Sequence, residues 1–210
     1  MGNDPLDRTD PDGTYSCGAS LDSTQCASFT SAQDQVKAQL TGSLKAIGGL
    51  KDRIESGGKL TSADQKLAAG ISKVLGSGAG TNAKVLGSLV AAGNKMLGQL
   101  NGSMPAEIGK GVSGYARADA GQLTLNAGRF FGSSSGMASQ ILAHESHHHA
   151  VEPGRTDTKY NYRTPGRVER ISAYGYPAMV RQAELRNNPE RMLKIPDAAT
   201  FALGFDRDDD

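Results

Sequence analysis

From Val36 to Ile54 the apolar residues recur at helical steps: Val36, Leu40, Leu44, Ile47 and Ile54. That spacing puts them on one face of a helix, and such a face has to be buried against something. The pattern returns twice, as Leu67, Ile71, Val74 and Leu75, then as Leu86, Leu89, Val90, Met96, Leu97 and Leu100. Three amphipathic helices in succession bury their stripes against one another, so the first half of the chain reads as a small bundle. The first helix is expected to begin near Thr30 or Ser31 and to end at Gly57-Gly58. The second is announced by Ser62 with Gln65 three residues on, a capping-box pattern. The third follows Gly76–Gly80. Aromatic residues make up 5% of the chain and Trp is absent, so Leu, Ile, Val, Ala and Met are expected to build the core.

The texture changes at Met104–Ala106. Val112–Ala118 and Gln122–Asn126 alternate in the manner of strands around a turn at Asp119–Gly121. Gln122–Asn126 is expected at the sheet's edge. Phe130-Phe131 leads to a glycine- and serine-rich joint, Gly132–Gly136. A helix should run from Ser134 to about Val151, stopped by Pro153-Gly154. A further helix is expected at about Arg167–Arg186 and a short one around Asp197–Phe205, before an acidic, solvated tail. The fold class is therefore α+β, mainly helical, with a small sheet beside the histidine-bearing helix. With 210 residues the chain fits one domain. The expected division is an extended lead-in over 1–30 and a domain over 31–208, with a helical half at 31–103 and a catalytic half at 104–208.

The formal net charge is +1, so no overall field draws the chain to nucleic acid or to an anionic membrane. Met1–Ser16 is polar and lacks the apolar core of a secretory signal, and no apolar run approaches membrane-spanning length. Cys17 and Cys26 lie close together in a Ser/Thr-rich stretch. They either close a small disulfide loop or remain thiols in a reducing compartment.

All four histidines fall between His144 and His149, in the string LAHESHHHAVEP. It contains H-E-x-x-H as His144, Glu145 and His148. Residues four apart on a helix lie on one face, so two imidazoles can grip one ion. Glu145 is rotated about a third of a turn away. It can reach a metal-bound water without taking a coordination position, and accept its proton as the water attacks a carbonyl. Met137, Ile141 and Leu142 precede the motif, which argues for a buried helix whose imidazoles need partners. His147 and His149 are expected in supporting or surface roles. A catalytic zinc takes a third protein ligand and keeps a fourth position open. With no histidine downstream, a carboxylate is left to supply it. Asp157, just past the Pro153-Gly154 reversal, and Glu169, on the expected following helix, are the candidates; position favours Asp157.

The region from about Ala106 to Phe205 resembles the aspzincin metalloendopeptidases, the deuterolysin and peptidyl-lysine metalloendopeptidase family. Their H-E-x-x-H helix is followed by G-T-x-D-x-x-Y-G, and here the run is Gly154, Arg155, Thr156, Asp157, Thr158, Lys159, Tyr160, Asn161. Gly, Asp and Tyr match; Arg155 replaces Thr and Asn161 the last Gly. LTLNAGRFF (Leu123–Phe131) is similar to the segment before the family's active-site helix, and NPERMLKIPDAATFALGF (Asn188–Phe205) to its closing segment. The resemblance implies a zincin-like fold and one Zn2+ held by His144, His148 and Asp157. It also implies Glu145 as the base and Tyr160 as a hydroxyl steadying the oxyanion. With Arg155 in place, the family's lysine preference is not carried over.

GNDPLDRTDPDG (Gly2–Gly13) is similar to the segment that closes the repeat core of bacterial Rhs (YD-repeat) proteins, with Thr14 where the family has Leu. Variable toxin domains follow that segment. This resemblance implies a secreted effector delivered into a neighbouring cell, a cognate immunity protein as partner, and the Rhs core and its secretion machinery upstream. The function expected from the whole sequence is zinc-dependent cleavage of protein or peptide substrates. A nuclease-type toxin domain and a non-catalytic zinc-stabilised interaction module are the rival readings.

Overall fold

The computed structural model describes residues 15–119, 121–151, 160–164, 167–171 and 188–205, the two segments 160–164 and 167–171 as backbone. It is an α+β fold, mainly helical, with a four-stranded mixed sheet. The first strand, β1 (Ser16–Cys17), leads into α1 (Ser23–Glu55). α2 (Ser62–Leu75), a single 3-10 turn at Ala79–Thr81 and α3 (Ala83–Leu100) follow. β2 (Pro105–Ile108), β3 (Ala116–Asp119) and β4 (Gln122–Leu125) come next. After them stand α4 (Ala127–Phe130), α5 (Ser135–Ala150), the hairpin β5 (Tyr160–Thr164) and β6 (Arg167–Ile171), α6 (Pro189–Met192) and α7 (Pro196–Ala202).

Local chemistry sets the helix starts. Asp22 caps α1 in a reciprocal box with Gln25, which satisfies two of the first-turn N–H groups. α1 therefore begins seven residues before the expected Thr30–Ser31, and residues 15–30 are not an extended lead-in. At α2 the box is Thr61 with Asp64, one position ahead of the expected Ser62–Gln65 pair. Asn82 accepts from Lys84 and Val85 to cap α3, and Ser134 accepts from Met137 to cap α5. α5 thus spans nearly the range read from the sequence. Arg167–Ile171, expected as the start of a helix, is instead a strand paired antiparallel with Tyr160–Thr164; the remainder of that expected helix lies outside the described residues.

The sheet order is β1-β2-β4-β3, with β1, β2 and β4 parallel and β3 antiparallel to β4. Gln122–Leu125 is thus interior rather than the expected edge: β2 covers its outer side, Ala106 facing Leu123 in register. Among the described residues β3 is the outer strand on that side, and it packs beside α5.

The three helical stripes meet in one core that also takes in the sheet and α5, with Val36, Leu40, Ile47, Ile71, Leu86, Leu89 and Met96 fully buried. The two expected halves therefore share a single interior. Rings fill part of it, against the expectation of an aliphatic core. Tyr15, Phe29 and Phe130 are among its largest buried side chains, and each touches the next, with centroids 6.2 and 6.1 Å apart. Gly93 lets the elements close up, because a Cβ there would meet Leu44 at 2.7 Å and Leu203 at 3.2 Å. Cys17 and Cys26 are joined in a disulfide that ties β1 to the first turn of α1. No helix among the described residues is long and apolar enough to cross a membrane.

Candidate metal centre

α5 carries the H-E-x-x-H residues, and each histidine has its own surroundings. His144 and His148 share one face, their rings 4.9 Å apart and their Nε2 atoms 3.2 Å apart. The Nδ1 of His144 lies 2.7 Å from Oδ1 of Asp197, in the first turn of α7. A carboxylate can only accept, so Nδ1 carries the proton and Nε2 presents a lone pair. That lone pair points toward the neighbouring imidazole nitrogen. A tetrahedral zinc with Zn–N bonds of about 2.0–2.1 Å separates two ligating nitrogens by about 3.3 Å. The observed Nε2 spacing fits one ion held between them.

Asp197 is 8% exposed, and several contacts hold it in place. Pro196, with its preset φ, starts α7. Thr200 donates to the carbonyl of Asp197. From the far side, Ser43 and Gln39 of α1 donate to the carbonyls of Leu203 and Gly204. A residue 53 positions beyond His144 is thereby fixed as a partner to that imidazole. The sequence reading assigned Asp197 no role.

His147 has a different partner. It is fully buried and its Nε2–H donates to the carbonyl of Leu193 at 3.0 Å. Burial pushes its pKa down to about 3, with the neighbouring His148 and His144 acting in the same direction. A neutral imidazole bonded to a carbonyl fastens α5 to the segment before α7 rather than competing for a metal. His149 meets Tyr15, its Nδ1 3.0 Å from the phenol oxygen. Burial first, and the charge of Glu145 second, push the Tyr15 phenol well above its ordinary value. It therefore stays protonated, hydrogen-bonded to His149.

Glu145, 7% exposed, lines a cleft of about 440 Å³ together with His144 and Asp197. The opposite wall is the segment Gly111–Arg117, which runs into β3. Asn126 holds that wall: its side-chain amide donates to the carbonyl of Val112 at 2.7 Å, and its backbone N–H to that of Tyr115 at 2.9 Å.

The structure brings His144 and His148 together, and Glu145 lines the cleft beside His144. Asp157, expected as the third ligand, lies outside the described residues. The backbone of Tyr160 opens β5, and its side chain lies outside the description. Glu169 is on strand β6, in register with Tyr162, and not on a helix as expected. Among the described residues no group of three His, Cys, Asp or Glu side chains converges on one point. Comparisons with family models, with curated proteins and with solved structures return no match for this chain.

Proposed function

We propose that this chain is a zinc-dependent endopeptidase. The observation that carries the reading is the pair of Nε2 atoms 3.2 Å apart on one helical face, one of them oriented by Asp197. Glu145 lines the cleft beside His144. His144, His148 and Asp157 would hold the ion, and a zinc bound there would bring the pKa of a bound water to about 7 and polarise the scissile carbonyl. Glu145 accepts the proton of the attacking water and passes it to the leaving amine. Tyr160 donates to the tetrahedral oxyanion. The strand β3, outermost among the described residues, in place of the interior β4, would align an extended peptide by main-chain hydrogen bonds.

The same reading takes the chain as a toxin domain delivered into a neighbouring cell. It rests on the similarity of Gly2–Gly13 to the end of an Rhs core, and it calls for an immunity protein as partner. Neither the net charge of +1 nor the carboxylate beside His144 suits a nuclease.

The test compares the parent with Glu145→Gln by mass spectrometry of new peptide termini in a digested proteome. The variant should keep its fold and metal while cleavage falls by about 10²–10⁴-fold or more. An equally active variant would end the proposal.

A further inference from the structure

The cleft extends well past the metal ligands, and its composition changes along its length. Its carboxylates, Glu145 and Asp197, lie at the histidine end. Along α5 the cleft is next floored by Ile141 and then by Met137, one and two turns before Glu145. At 1.5 Å per residue these lie about 6 and 12 Å from it along the helix axis. Val112 and Tyr115 also line the cleft, with the polar Ser113, Arg117 and Gln140 among them. Ile141, Met137 and Tyr115 are each only partly buried, although the protein has a large closed core in which to place such side chains. Half-covered apolar side chains grouped along a concave surface gain by being covered.

We infer that this end of the cleft binds a large apolar side chain, of the size of Leu, Met or Phe, on the substrate residue flanking the scissile bond. Its selectivity is set by Ile141 and Met137. The inference rests on the peptidase reading of the same site and narrows it to a substrate class. A side chain leaving the backbone beside Glu145 reaches the level of Ile141 after about 6 Å, the reach of an extended Met or of a Phe ring. A lysine or arginine in that position would bring its charged head to Ile141 and Met137. Among the described lining residues no carboxylate stands there to meet it, and an unpaired charge against apolar walls is strongly disfavoured. Asn126 holds the carbonyls of Val112 and Tyr115, so the facing wall is set before any substrate arrives.

The test is to incubate a denatured proteome with the zinc-loaded parent, Ile141→Ala, Met137→Lys and Glu145→Gln, and to align the Glu145-dependent cuts. With the parent, Leu, Met and Phe should be enriched at one flanking position at least tenfold over Lys, Arg, Asp and Glu. Ile141→Ala should lower kcat/KM for a Leu- or Phe-containing peptide about tenfold or more relative to its effect on the Ala-containing peptide. Met137→Lys, in the exposed first turn of α5, should move the preference toward Asp and Glu. A second readout uses fluorescence anisotropy of labelled Phe- and Lys-containing peptides on the Glu145→Gln protein, where the Phe peptide should bind more tightly. Glu145-dependent cuts without apolar enrichment, or a preference unmoved by both variants, would overturn this inference and leave the peptidase reading standing. No Glu145-dependent cut at all would overturn that reading and this one with it.

Discussion

Asp197 orients an imidazole from the far end of the chain. With its carboxylate 2.7 Å from Nδ1, it holds the ring's tautomer and orientation. Replacing such a partner costs a metal site about 10–100-fold in affinity. Asp197→Ala should therefore weaken zinc binding in that range, as read by competition with a chromogenic chelator, while far-ultraviolet circular dichroism stays unchanged. The third ligand is tested in the same assay: Asp157→Ala should lose the ion and Glu169→Ala should keep it. The reverse result would move the ligand to β6. His144, Glu145 and His148 were legible because helix geometry alone converts their spacing into proximity. The role of Asp197 was not, because nothing in a local window says which carboxylate will return to a given ring.

The helices follow the same division between local and distant cause. α2, α3 and α5 were readable from stripes and caps, as Leu67–Ile71 and Ser134–Met137 illustrate. The beginning of α1 was missed because Ser23–Thr30 carries a single large apolar residue, Phe29, too little for a stripe. Gln33 is buried to bond the carbonyl of Leu100 at the end of α3, a partner no periodicity reveals. β2 escaped because a parallel strand opening at Pro105 pairs with residues 17 positions away in sequence. The Tyr160–Ile171 hairpin had a usable signal: Tyr160 and Tyr162 alternate with polar residues ahead of Pro165-Gly166. The corner between α1 and α2 yields a prediction about acid. The Arg53 guanidinium, then the hydroxyl and N–H of Thr61, hold the Asp64 carboxyl down at about 2 against an ordinary 3.8. Because the folded value is the lower one, this contribution to stability is complete above 3.8 and is lost as pH falls toward 2. Asp64→Asn should flatten the fall of Tm across that interval, followed by circular dichroism, and should lower Tm at pH 7.

Across the whole molecule, the two ends of the described chain close around α5. Tyr15 supports His149 from one side, and α7 brings Asp197 to His144 from another. The disulfide fastens the first of these supports. By chain entropy, a crosslink spanning nine positions contributes about 2.5 kcal/mol. The Cys17→Ser/Cys26→Ser protein should therefore melt roughly 5–10 °C lower for a chain of this size. Reduction of the parent should reproduce that shift, measured by calorimetry.

The pairing of Ser43 with Leu203 spans 160 positions, and that of Tyr15 with His149 spans 134. Contacts of such separation form late, since a long loop must close before any of them can stabilise the fold. A polypeptide still emerging from a ribosome or a secretion pore has its histidine turn well before it has Asp197. Until the final segment arrives and docks, the first imidazole lacks the carboxylate that sets its tautomer. Assembly order thus acts as a delay, and under the proposed peptidase reading it would keep the centre unfinished while its own unfolded chain is the nearest thing to cut.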